Sequence, residues 1–159
     1  MGPTIGQAIT SVNVFTKDED GIDTLDMASY LADKKVVLFS VPGAFTPTCS
    51  VKHVPSYIAH KEALKAAGFD AVLCLSVNDA HVMKAWEDDQ QSNEAVMMIA
   101  DPEAHFSEQL GLAVHMGPVL ATRATRAAIV IDKGVVTHSF MEEPGVYEVS
   151  SAEHLLANL

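Results

Sequence analysis

The chain has 159 residues, 48% of them hydrophobic, which suits one packed domain spanning residues 1–159 rather than a disordered polymer. Its formal net charge is −11, and its ten Lys and Arg residues form no run, which argues against nucleic acid or an anionic membrane as a partner. Two cysteines are too few for a disulfide framework, so a reducing compartment, the cytoplasm, is expected.

Residues 1–6 lack the basic and then apolar pattern of a signal peptide. Gly6 stands where a myristoylation signal after Gly2 needs Ser or Thr. No apolar run approaches the roughly 18 residues of a membrane span. Residues 12–15 read as a short strand ended by the charged turn 17–21, and 26–32 as a helical segment. Residues 36–41 form a near-continuous apolar run, the pattern of a strand covered on both faces. The next helix, 50–67, contains Pro55, which should kink or split it, and Gly68 suits its C-terminal cap.

A second buried strand is expected at 71–77. Asn78 or Asp79 caps a helix that carries Val82, Met83 and Trp86 on one apolar face. A third strand follows at 95–100. Asp101, Pro102 and Glu103 read as N-cap, first helical residue and first-turn acid of a helix stopping at Gly111. Strands 127–131 and 135–141 flank Asp132-Lys133-Gly134, a hairpin signal. Ser150 and Glu153 have the spacing of a capping box for a last helix reaching Leu159. The order is alternating units followed by a hairpin, which implies an α/β fold with a mixed sheet and helices on both faces.

The turn Pro42-Gly43-Ala44-Phe45-Thr46-Pro47-Thr48-Cys49 carries the chemistry. Thr46 and Pro47 suit an N-cap and a first helical position, which puts Cys49 in the first turn. Unpaired N–H groups and the helix dipole there favour an anion, so the thiol is expected to ionise below its free value of about 8.5 and act as a nucleophile. The Thr46 hydroxyl, three residues before the sulfur, is within reach of it or of a substrate. A guanidinium would be a natural further donor, and the sequence has two, Arg123 and Arg126. Cys74, inside an apolar strand, reads as a buried thiol. The seven histidines are scattered, with no metal-ligand spacing. His53, four residues after Cys49, either tunes the thiol or packs.

The Pro-x-x-x-Thr-x-x-Cys spacing resembles the signature of the peroxiredoxins, thiol peroxidases with a three-layer thioredoxin-like fold. The longer string from Val41 to Pro55 is similar to the type II, or peroxiredoxin-5-like, branch. So are Cys74-Leu75-Ser76-Val77-Asn78-Asp79, Val82-Met83-Lys84-Ala85-Trp86, Ala100-Asp101-Pro102 and Val149-Ser150-Ser151-Ala152-Glu153, in that order. The resemblance runs from about Ile5 to Leu159. It implies that Cys49 attacks hydrogen peroxide or a small organic hydroperoxide, becomes sulfenic acid, and is restored by glutathione with glutaredoxin or by thioredoxin, with no cofactor or metal. It also implies that Pro42 shields the sulfur, that Thr46 bonds to sulfur or substrate, and that Arg126 reaches back to Cys49. Arg123 is then either a surface charge or a supporting group on the substrate side. Ala127-Ala128 departs from the family's usual aromatic or serine-containing pair, a change expected to affect packing more than chemistry. Plant-type relatives have a cysteine where Cys74 stands, so it is a candidate resolving thiol, although a one-cysteine cycle is favoured. Phe45 matches an aromatic near the family's dimer contact, or is a core-facing anchor. Two rival classes are a thioredoxin-like binding domain, which would need no reactive thiol, and a cysteine hydrolase, which would need a positioned histidine base.

Overall fold

Two strands buried on both faces, β3 (Lys35–Ser40) and β4 (Ala71–Ser76), lie at the centre of a seven-stranded sheet. The computed structural model describes residues 2–159, so Met1, where the expected domain starts, lies outside the described residues. Strand β4 pairs in parallel with β3 and with β5 (Met97–Ala100). β1 (Asn13–Asp18) and β2 (Gly21–Asp26) extend the sheet antiparallel on one side. β8 (Ala127–Asp132) and β9 (Val135–Met141) do so on the other. The order is β2-β1-β5-β4-β3-β8-β9, the expected mixed sheet of a thioredoxin-like fold.

Alternation along β3 divides the core. Val37 and Phe39 face a cluster with Tyr57, Leu64, Met83, Trp86 and Leu155. Val36 and Leu38 face another with Met27, Leu31, Phe106 and Leu110. The first cluster is covered by α2 (Val54–Ala59), α3 (Lys61–Ala66), α4 (Ala80–Gln90) and α7 (Ala152–Ala157). The second is covered by α1 (Met27–Leu31) and α5 (His105–Gln109). Burial of apolar side chains on both faces is the main stabilising contribution. The Ala127-Ala128 pair is fully buried, one residue in each cluster. Ala128 lies between Phe39 on β3 and Phe140 on β9 in register, where a small side chain leaves room for two aromatic rings.

Several local expectations need correction. Residues 21–26 form β2, which the sequence does not announce because four of the six are polar or glycine and none is buried. Asp18 shapes the turn before it by accepting from the N–H groups of Asp20 and Gly21. The helical stretch over 50–67, expected to kink or split at Pro55, is divided into a π-helical turn, Cys49–His53, then α2, then α3, with the break between the last two at His60 (φ −103°) rather than at the proline. Pro55 sits in the first turn of α2, and the widened turn lies just ahead of it, where the ring would crowd the Val51 carbonyl of a regular helix.

Asp101 is not an adjacent N-cap. Its carboxylate reaches forward to the N–H groups of Phe106 and Ser107, and the helix starts at His105 after Ala104 in a left-handed conformation. Ser151, not Ser150, caps the last helix by accepting from His154 N, so the expected capping box is absent. A small hairpin of β6 (Ala113–His115) and β7 (Thr122–Ala124) around α6 (Gly117–Leu120) was also unforeseen. The β8–β9 turn has positive φ at Lys133 and Gly134, as a tight hairpin requires. Among the described residues no helix is long and apolar enough to cross a membrane.

Candidate active site

Residues 41–46 leave the end of β3 as a loop held by backbone and side-chain bonds. Val41 N donates to Leu75 O at 3.1 Å. Ala44 N donates to Asn78 Oδ1 at 3.0 Å, and the Ser76 hydroxyl donates to the same oxygen. Asn78 is thus an anchor of the loop, while Asp79 caps α4 through Val82 N. Phe45 has φ 63°, a region seldom occupied by a bulky residue, and turns the chain into the helical path that opens at Pro47. Ser50 N donates to Thr46 O at 3.0 Å. Thr46 therefore flanks the helix, but its hydroxyl is aimed at the sulfur. It lies 2.8 Å from Cys49 Sγ and 2.7 Å from the Gly43 carbonyl. One proton serves two acceptors, and the lone pairs of the hydroxyl oxygen remain able to accept a further hydrogen bond.

Arg126 stands immediately before β8, with its carbonyl accepting from Glu142 N at 3.0 Å. Its Nη2 donates to Cys49 Sγ at 3.0 Å, and its Nη1 donates to His53 Nδ1 at 2.8 Å. A guanidinium cannot accept, so His53 Nδ1 must, and the ring proton resides on Nε2, which donates to Ser150 O at 3.0 Å. Burial, then the neighbouring Arg126 charge, push the His53 pKa down to about 3, against a weaker opposing effect of the Ser150 bond. His53 is therefore neutral at ordinary pH and holds the arginine rather than the thiol. A histidine engaged in this way cannot serve Cys49 as the base that a hydrolase requires.

Arg123, on β7, does something different. Its Nε donates to Leu120 O at 2.8 Å and its Nη1 to Pro42 O at 3.3 Å, tying β7 to the loop. Gly43 makes this approach feasible, since a Cβ there would come within 2.8 Å of Arg123 Nη1. Pro42, Thr48 and Arg126 border a cavity of about 710 Å³ whose walls include Val114, Met116, Leu120, Met141 and Val146. Cys49 is fully buried beside it.

Cys74 lies on β4 opposite Phe39, fully buried in the same cluster as Cys49. Burial pushes its thiol pKa well up, and the nearby Cys49 sulfur adds to that. Phe45 is 53% exposed, so it is not a core-facing anchor. Among the described residues no group of three or more His, Cys, Asp or Glu is arranged to hold a metal ion.

The redoxin family model matches residues 5–156. This chain belongs to the peroxiredoxins. Peroxiredoxin-2D of Arabidopsis thaliana is 41% identical over 162 residues, covering 100% of both chains. Peroxiredoxin-2C of Oryza sativa subsp. japonica is 43% identical, covering 89% of this chain and 88% of its own. A crystal structure of reduced Prx3 in complex with H2O2 from Vibrio vulnificus is 43% identical with a TM-score of 0.93, and 97% of each chain is covered. As a peroxiredoxin the protein is a thiol-dependent peroxidase with peroxides as substrates and thiols as reductants.

Peroxiredoxin motifs drew attention to Cys49, Thr46, Pro42 and Arg126, but not to three residues that shape their surroundings. Asn78 read only as a helix cap. Tyr147 covers the His53 edge, with ring centroids 5.2 Å apart, and lies 6.0 Å from the Arg126 guanidinium. Glu142, buried behind the site, accepts four hydrogen bonds from residues 148–150. An acid just beyond an apolar strand was the one signal available for it.

Proposed function

We propose that Cys49 is the peroxidatic nucleophile for hydrogen peroxide and small organic hydroperoxides, with Thr46 and Arg126 as its catalytic partners and Pro42 as a shield. The convergence of the Thr46 hydroxyl and Arg126 Nη2 on Sγ, at 2.8 and 3.0 Å, carries this reading. The thiolate attacks the nearer peroxide oxygen, an S–O bond forms as O–O breaks, and the departing alkoxide or hydroxide takes a proton to leave as alcohol or water. Preorganised donors stabilise the charge on the departing oxygen. The apolar cavity wall supports acceptance of an alkyl tail.

The sulfenic acid at Cys49 then condenses with an external thiol, releasing water and forming a mixed disulfide, which a second thiol reduces. Glutathione with glutaredoxin, or thioredoxin, supplies these electrons in a one-cysteine cycle. The buried, protonated character of Cys74 supports that choice over an internal bridge. The reducing setting of such a cycle supports the cytoplasm as its location, which cell fractionation tests, and the acidic charge supports neither nucleic acid nor membrane as a partner. Exposed Phe45 and Val51, flanking the active turn, support a homodimer through this edge.

Purified protein is expected to consume hydrogen peroxide and cumene hydroperoxide with either reductant, while Cys49→Ser is inactive. Near-normal turnover by Cys49→Ser would sink the assignment. Sedimentation velocity is expected to give a dimer that Phe45→Glu weakens; a wild-type monomer at micromolar concentration would refute the dimer.

A further inference from the structure

Glu142 follows β9, is 6% exposed, and concentrates its bonds on one oxygen. Oε2 accepts from the N–H groups of Glu148 (2.7 Å), Val149 (3.0 Å) and Ser150 (3.0 Å), and from the Ser150 hydroxyl (2.7 Å). Hydrogen bonds to a carboxylate are stronger than neutral ones, and four of them fix the backbone of three consecutive residues. The Ser150 carbonyl is thereby aimed at two donors, His53 Nε2–H at 3.0 Å and the Tyr57 hydroxyl at 2.7 Å.

That carbonyl decides the histidine tautomer. With the proton drawn to Nε2, the Nδ1 lone pair is left to accept from Arg126 Nη1 at 2.8 Å. Arg126 Nη2 is then held toward Cys49 Sγ at 3.0 Å. His53 is itself locked by ring contacts, with Phe39 at 4.7 Å and Tyr147 at 5.2 Å between centroids. Every link from Glu142 to the sulfur is a direct contact, and the carboxylate oxygen at its start is occupied by the loop. A guanidinium on a flexible stem needs such a hold to present one N–H at a fixed place, because loosening a preorganised donor costs rate.

We infer that Glu142 is a positioning residue for peroxide reduction, acting on the reacting sulfur through the Ser150 carbonyl, His53 and Arg126. The inference rests on the assignment of Cys49 and Arg126 made above. A double-mutant cycle tests it, using Glu142→Gln, His53→Leu and the pair, with the full-length protein. Glu142→Gln is expected to lower the second-order rate constant for hydrogen peroxide by roughly two- to thirtyfold, the range for substitutions that act through intermediate contacts. In the His53→Leu background the same change is expected to leave the remaining rate within about twofold, because the path is already cut. His53→Asn, which can still offer Arg126 an acceptor, is expected to recover part of the loss seen in His53→Leu.

A merely structural Glu142 would lower the melting temperature and leave the rate per folded molecule unchanged, or would act equally in both backgrounds; either result overturns the inference. Should Glu142→Gln fail to fold, Glu142→Asp, which keeps the charge but withdraws the oxygen by one methylene, is carried through the same cycle, and the same two results would overturn the inference. Wild-type turnover in parallel separates the failures. Its absence would reject the peroxidase assignment, whereas normal wild-type turnover with an insensitive Glu142 variant rejects only the positioning role.

Discussion

Arg126 and Arg123 are three residues apart and differ in what their guanidinium groups touch. Arg126 donates to the sulfur and to His53; Arg123 donates to two backbone carbonyls and braces the loop at Pro42. Arg126→Gln is therefore expected to slow peroxide reduction by on the order of 10²–10³, the cost of one lost transition-state donor, and to slow alkylation of Cys49 at neutral pH. Arg123→Gln is expected to do less, mainly through a looser loop. Stopped-flow rates for the two variants check the ranking, and a reversed order would mean that the roles have been exchanged. Thr46→Val removes the other donor and is expected to cost about 2.7–4 kcal/mol of transition-state stabilisation. It leaves a methyl where Gly43 O and Sγ now share a proton.

At the scale of elements, the two cysteines sit on pieces of chain with different freedom. Cys49 begins a π-helical turn reached through a strained residue, whereas Cys74 is in register between two neighbours in the middle of the sheet. Cys74→Ser is expected to retain peroxidase activity when glutathione and glutaredoxin supply the thiols. Mass spectrometry of peroxide-treated wild type with glutathione should find the adduct on Cys49. A dominant Cys49–Cys74 bridge, with Cys74→Ser inactive under every donor, would refute the one-cysteine cycle. Elements with a strong apolar pattern, continuous in β3 and β4 and periodic in α4, were legible, as was the β8–β9 hairpin, because their buried faces are written in nearby residues. β2 and the β6–β7 hairpin were not, since each is held by pairing to a partner rather than by an apolar pattern of its own. The Asp101 cap differs because its carboxylate reaches forward to Phe106 and Ser107, and the last helix is capped by Ser151 because the Ser150 hydroxyl is engaged by Glu142.

For the whole molecule, the same distinction separates the visible part of the site from the hidden part. Pro42, Thr46 and Cys49 share one turn and can be read together, while Arg126 came only through the family resemblance. Ser150 and Tyr147 meet His53, and Glu142 meets Ser150, only after β9 has completed the sheet edge, so no local spacing announces them. His53 also links the site to stability. An unfolded histidine takes up a proton near pH 6.5, but the folded one resists until about 3. Between these values the unfolded chain binds more protons, so stability is full above about 6.5 and falls as pH drops toward 3. Thermal unfolding from pH 7 to 5, above the range of most carboxylates, is expected to show this decline in wild type and a flatter profile in His53→Asn. Parallel profiles would contradict a buried neutral His53.

Trp86, the one tryptophan in the sequence, is fully buried and donates its indole N–H to the Ser50 hydroxyl at 3.0 Å, one residue from Cys49. Its ring lies 6.5 Å from that of Phe45 on the other side of the turn. The molecule thus carries a single indole fluorophore, hydrogen-bonded from α4 to the turn that holds Cys49. Oxidation of Cys49, or unwinding of the π-helical segment, is expected to shift that emission, which stopped-flow fluorescence without an added dye checks.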